Sequence, residues 1–160
     1  MTDYLTPLYT DVRAWLLSMF PNTSIVRGYQ NLEPIPENGI IMTFLMEKRL
    51  DQLSRTYEDD NTNLIVFDSI QGTMQVDCYG ENSHAMARQI ASMWQTPITT
   101  EILQNCQPLY CGDPKDLTFV NETGQYEPRF MVGLELQYNT KYENAVQSAI
   151  DMSNIKTEGL

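Results

Sequence analysis

The sequence is poor in the groups from which most reaction centres are built. Its 160 residues include one histidine, His84, and three cysteines, Cys78, Cys106 and Cys111. A zinc site needs several thiolate or imidazole ligands at suitable spacing, and Cys106-x4-Cys111 is better explained by packed or indifferent thiols. An odd number of cysteines without paired spacing fits a reducing compartment rather than a disulfide framework. The eight glycines are dispersed, so neither the Rossmann nor the Walker phosphate-binding spacing occurs, and there is no Gly-x-Ser-x-Gly elbow. His84 reads as an exposed helix residue. No run approaches the ~18 consecutive apolar residues of a membrane span. The first twenty residues contain Asp3 and Asp11 and no basic lead into an apolar stretch, which is not the form of a signal peptide. The expectation is a non-enzymatic protein with no catalytic residue, cofactor, metal or membrane partner.

Basic residues are also scarce, with 10 against 21 acidic ones and a net charge of −11. Affinity for nucleic acid comes mainly from Lys and Arg displacing counterions, so gripping DNA is excluded, although an acidic surface can face DNA without adhering to it. The plain alternative is solubility. Glu58, Asp59 and Asp60 run into Asn61-Thr62-Asn63, a turn composition. Paired-acid chemistry requires one carboxyl buried enough to stay protonated, and a run of acids in a polar turn is ordinarily solvated. The tyrosines and tryptophans lack the interleaved basic residues of a single-strand binding platform; cores and subunit interfaces use them equally well.

What is present is ample apolar material. Hydrophobic residues make up 42%, and a chain of this length buries roughly 70% of its unfolded surface. The reading is one domain over residues 1–140 and a tail, 141–160, partly helical or flexible. Thr6 and Pro7 form a helix start, and Leu8, Val12, Trp15, Leu16 and Met19 recur at helical spacing, predicting a helix over 7–20. Residues 25–29 suit a short strand, 31–38 with Pro34 and Pro36 a loop, and 40–46 a buried strand. The stretch 46–54 is ambiguous: Met46, Leu50 and Leu53 fall at helical spacing, yet the same residues can extend. In 64–80, Leu64, Val66, Ile70, Met74, Val76 and Cys78 hold even positions and the odd positions from Ser69 to Asp77 are polar, giving a strand with one wet face; Asp68 and Gly72 interrupt the apolar side, suggesting a bend or bulge. Met86, Ile90, Met93 and Trp94 share a helix face behind an Asn82 or Ser83 cap, with Pro97 as the stop and a short helical turn at 100–104. Residues 107–121 read as loop and short strand, 126–138 as the last strand, in which Phe130, Val132, Leu134, Leu136 and Tyr138 alternate with Arg129, Glu135 and Gln137, and Tyr142, Val146 and Ile150 as a weak helical pattern. The fold class is α+β: a mostly antiparallel sheet with a long β-hairpin and two amphipathic helices on one face. Its expected core includes Trp15, Leu16, Val76, Met86, Ile90, Trp94, Val132, Leu134 and Leu136.

If 40–56 and 64–80 form one hairpin, each arm reaches roughly 56 Å at ~3.3 Å per residue. A compact domain of this size has a diameter of around 40 Å. Such strands would project, and projecting strands have unpaired backbone groups that need covering, which a neighbouring subunit could supply. The alternative is that the hairpin bends, or that 46–54 is helical.

At Val76-Asp77-Cys78-Tyr79-Gly80-Glu81-Asn82-Ser83 a strand ends in Tyr-Gly and passes straight into a helix. Pro108-Leu109-Tyr110, Asp113-Pro114, Phe119-Val120-Asn121, Gln125-Tyr126-Glu127-Pro128-Arg129-Phe130 and Leu136-Gln137-Tyr138-Asn139 follow in order. This succession, over roughly residues 5–140, resembles the neck or tail-terminator family of tailed phages. The resemblance implies an α/β domain that closes into a homo-hexameric ring on the last ring of tail-tube protein. It also implies extended chain at 46–54 and no catalytic residues. The implied role is a structural virion protein of the neck, assembled in the host cytoplasm, that terminates the tube and joins tail to head. Its implied partners are other copies of itself, the tail-tube protein, head connector or stopper proteins and the sheath protein, with genomic DNA passing through unbound. Asp51, Glu58, Asp59, Asp60 and Asp68 are then candidates for the ring's lumen or subunit interface. Two alternatives stand beside this: a head-side adaptor or baseplate subunit, and a small acidic enzyme or inhibitor of a basic partner, which would need a pocket with convergent polar groups.

Overall fold

The computed structural model describes residues 1–30, 34–58 and 63–145. Helix α1 (Leu5–Met19) starts before the expected Thr6 cap. Asp3 does the capping instead. Its Oδ1 accepts the amides of Leu5 and Thr6 at 2.9 and 3.2 Å, and the Thr6 hydroxyl donates to Oδ2. The Thr6 bonds foremost hold the Asp3 carboxyl below its usual range. Pro7 falls in the first turn, where a missing N–H leaves no helical bond unmade.

The chain then forms β1 (Ser24–Arg27), β2 (Gly39–Arg49), β3 (Ser54–Glu58), β4 (Asn63–Tyr79), α2 (Ser83–Met93), α3 (Pro97–Ile102) and β5 (Gln107–Cys111). After these come β6 (Lys115–Asp116), β7 (Phe119–Val120), β8 (Tyr126–Glu127) and β9 (Arg129–Ala145). The fold is α+β. The β1–β2 pair is parallel, whereas β3–β4, β5–β9 and β6–β9 are antiparallel.

Contacts divide the chain into two compact units. The first comprises Met1–Lys48 and Gln71–Tyr138. It carries the three helices and the strand order β1-β2-β4-β9-β5, with β6 also on β9. Period-two patterning sorts its sheet. Ile40, Met42, Met74, Val76, Cys78, Val132, Leu134 and Leu136, all at even positions, are almost wholly buried, together with Leu8, Val12, Trp15 and Leu16 of α1 and Ala87 and Ile90 of α2. Met86, expected in the core, is only half-buried, because Ala87 takes the deeper place on α2.

Trp15 and Trp94 meet edge to face with centroids 5.0 Å apart. The Trp94 indole N–H donates to the Glu135 carbonyl at 3.0 Å. Asp11, also buried, accepts the backbone amides of Gln104 and Asn105 and the Asn105 side-chain amide, which ties α1 to the chain leaving α3. Pro97 opens α3 rather than merely closing α2, as its place in the first turn shows. A separate hairpin pairs β7 with β8. Its turn is held by Asn121 Oδ1, which accepts the amides of Thr123 and Gln125 at 3.0 Å, and by Gly124 at φ 80°.

The second unit comprises Arg49–Ile70 and Asn139–Leu160. Its described part holds β3, the first half of β4 and the end of β9. The ambiguous stretch 46–54 is extended: β2 reaches Arg49, the chain bends at 50–53, and β3 resumes at Ser54. Cross-strand bonds override the helix propensity there. The Leu50 amide donates to the Ser69 carbonyl at 2.8 Å, and Arg49 pairs with Asp68 at 2.7 Å. Neither Asp68 nor Gly72 breaks β4. Asp68 is occupied by Arg49, and in the first unit Gly72 makes room for the Phe44 ring, which fills the space a Cβ would need. β9 continues past the expected end at Tyr138, so Tyr142 lies on a strand and not a helix. Val146 and Ile150 lie outside the described residues.

Replacing Trp15 or Trp94 by Ala should each cost ~3–5 kcal/mol in chemical denaturation, with Trp94 the costlier because the Glu135 carbonyl also loses a donor. Two variants of near-native stability would contradict this packing.

Candidate functional site

The polar odd positions of β4 and β9, read from sequence as a wet face, are partly exposed apart from buried Asp77, and they bond in two clusters. The Glu135 carboxylate accepts the Thr73 hydroxyl at 2.8 Å and the Gln71 amide at 2.9 Å. Asp77 is 3% exposed. Its Oδ1 accepts Arg129 Nε and Nη2 at 3.0 and 2.9 Å, and its Oδ2 accepts the Gln75 amide at 2.7 Å. The Arg129 guanidinium also stands 5.5 Å from the Tyr79 ring centre. Burial raises the Tyr79 hydroxyl above its usual pKa, against the pull of Arg129. A buried carboxylate with both oxygens bonded, here to side chains of β4 and β9, holds the two strands in register.

The thiols are equally inert. Burial pushes Cys78 and Cys106 up to about 12 and Cys111 up to about 11, so at neutral pH none is a thiolate nucleophile. His84 is exposed and packs edge to face on Phe130, 4.9 Å away. Among the described residues no three His, Cys, Asp or Glu side chains gather as a metal site.

The acidic candidates do not converge either. Asp51 and Glu58 are exposed, and Asp68 is half-buried against Arg49. Asp59 and Asp60 lie outside the described residues. In the second unit all five residues of β3 are exposed, while Ile65 and Ile70 of β4 are buried. Tyr57, Phe67 and Tyr142 stay exposed there, and the Lys141 ammonium lies 6.0 Å from the Phe67 ring centre.

The first unit has its own open features. Two grooves of about 380 and 370 Å³ share Arg27, Gly28 and Tyr29. Leu45 and Met46 are 50% and 61% exposed. Sequence reasoning missed the Asp77–Arg129 pair; the available signal was an acid set between Val76 and Cys78 in a strand that is otherwise apolar at that end.

The polar side chains of the first unit's sheet are thus bonded to one another, and the second unit leaves β3 with its Tyr57 exposed. The sequence model of the family described as phage neck terminator protein matches residues 6–159. The chain belongs to that family, whose members are structural proteins of the phage tail and neck. No curated protein matches it.

Arg129→Met should destabilise the fold by on the order of 3 kcal/mol, because it leaves Asp77 buried and unpaired, whereas pairing it with Asp77→Leu should recover most of that loss. Denaturant melts of the three proteins check this; equal stability of the single variant and the parent would contradict the pairing.

Proposed function

We propose that copies of this chain close into a sixfold ring that caps the tail tube and presents a surface to the head connector. The observation that carries this reading is the second unit's exposed ribbon. β3 is exposed along its whole length, and Tyr57 on it is 55% exposed. Edges and aromatics of this kind find cover in a neighbour. A head-to-tail contact repeated by rotation closes into a ring when the angle fits. The net charge of −11 suits a channel through which DNA passes without adhering, since like charge repels the phosphate backbone.

In this reading Asp51, Glu58, Asp59 and Asp60 face the lumen or a subunit boundary, while Asp68 serves its own chain through Arg49. The tail-tube protein lies below the ring, connector or stopper proteins above it, and in a contractile tail the sheath protein beside it. Assembly takes place in the host cytoplasm.

Cryo-EM of the virion neck tests the proposal. The expected image is one ring of six copies at the end of the tube. Copies located on the head side of the connector or in the baseplate, or a copy with no like neighbour, would overturn it.

A further inference from the structure

The parallel strand β1 covers β2 for four residues only, Ser24–Arg27 against Gly39–Met42. The Gly28 amide then donates to the Met42 carbonyl at 2.7 Å, and the Phe44 amide donates to the Tyr9 hydroxyl at 2.7 Å. Beyond this point the chain leaves the edge. Tyr29 adopts φ 60°, a left-handed conformation that costs a residue bearing a Cβ. Gly28 permits the departure, since Thr43 Oγ1 fills the space a Cβ would need there.

Backbone groups on alternate residues of a strand point to the same side. The N–H and C=O of Met46 and Lys48 therefore point where the Phe44 N–H points, toward the edge that β1 has vacated. Among the described residues no strand pairs with them on that side. Leu45 and Met46 are exposed at this place.

A groove lies on each face of the open edge. On the helix face it is lined by Leu5, Tyr9 and Phe44; on the opposite face Ile35, Thr43 and Leu45 line it beside the Asp77–Arg129 pair, whose charges offset one another. Arg27 borders both. Its guanidinium lies 4.2 Å from the Tyr9 ring centre, and no carboxylate among the described residues is within ion-pair distance of it. Asp3 feels its charge but is bonded to Leu5 and Thr6.

We propose that the β2 edge at residues 44–48 accepts an extended segment of another protein by strand addition, and that this segment alternates apolar and acidic residues. Main-chain bonds to the edge supply affinity, and successive side chains enter opposite grooves, which is how strand addition obtains specificity. An apolar or aromatic side chain suits the Leu5, Tyr9 and Phe44 lining, and a carboxylate answers Arg27. A single copy of the chain suffices, so this site and the ring closure stand or fall separately.

The test uses the full chain, labelled with nitrogen-15, and two acetylated heptapeptides: Ser-Glu-Val-Glu-Phe-Glu-Ser and its counterpart with lysine at each glutamate position. The glutamate peptide should shift the Met46 and Lys48 amide resonances and slow their exchange. Met46→Pro removes an edge donor without touching a bond inside the fold, and should weaken binding by about tenfold or more. Arg27→Gln should abolish the preference for glutamate over lysine. Absence of shifts at those amides in millimolar peptide would overturn the proposal, as would equal response to the two peptides. Slow exchange of the same amides in the peptide-free chain would also overturn it, since the edge would then already be covered.

Discussion

The fold depends on one donor finding one acceptor. Trp94 is wholly buried, and its indole N–H has a single partner, the Glu135 carbonyl on β9. An indole without that partner would carry a desolvation cost of a few kcal/mol. The bond sets the approach of α2 to the sheet, and the edge-to-face contact with Trp15 passes that constraint on to α1. On the opposite side of the same residue, the Glu135 side chain takes the Thr73 hydroxyl and the Gln71 amide of β4. Residue 135 therefore anchors β9 twice, once to a helix and once to the neighbouring strand.

With that anchor in place, the polar face of the first unit needs no ligand to account for it. Arg129 and Gln75 bond to buried Asp77, and Thr73 and Gln71 bond to half-buried Glu135; a buried carboxylate ordinarily has such partners. The second unit is built differently. Among its described residues few apolar side chains are buried, Ile65 and Ile70 among them, and β3 is exposed throughout. Strands β4 and β9 each contribute residues to both units, so the same continuous backbone that is locked at residue 135 also supplies the exposed ribbon. The proposed ring would draw on the second unit for its contacts between copies, through the strand left exposed there.

Much of this was legible in the sequence. Helical spacing marked α1 and α2, and alternation marked β4 and β9, because those patterns are imposed by burial on one side. The boundaries were less legible. Thr6-Pro7 suggested a cap that Asp3 provides three residues earlier, since a carboxylate reaching two amides competes well with a hydroxyl. Residues 46–54 carried helical spacing and strand composition together, and only the long-range bonds of Arg49 and Leu50 to β4 decide between them. The end of β9 was hidden because Lys141, Glu143 and Asn144 are exposed and show no alternation. The strand edges on which the proposals rest were hidden for a related reason. Strand edges are properties of backbone pairing, and side-chain identity records them only indirectly, through exposed residues such as Tyr57 or Met46.

The central claim is that the second unit's strands are completed by sister copies. Hydrogen–deuterium exchange of residues 54–58 and 139–145, compared between the isolated chain and intact virions, tests it most directly. The account predicts rapid exchange in the isolated chain and strong protection of both segments in the particle. Equal exchange in the two states would contradict it.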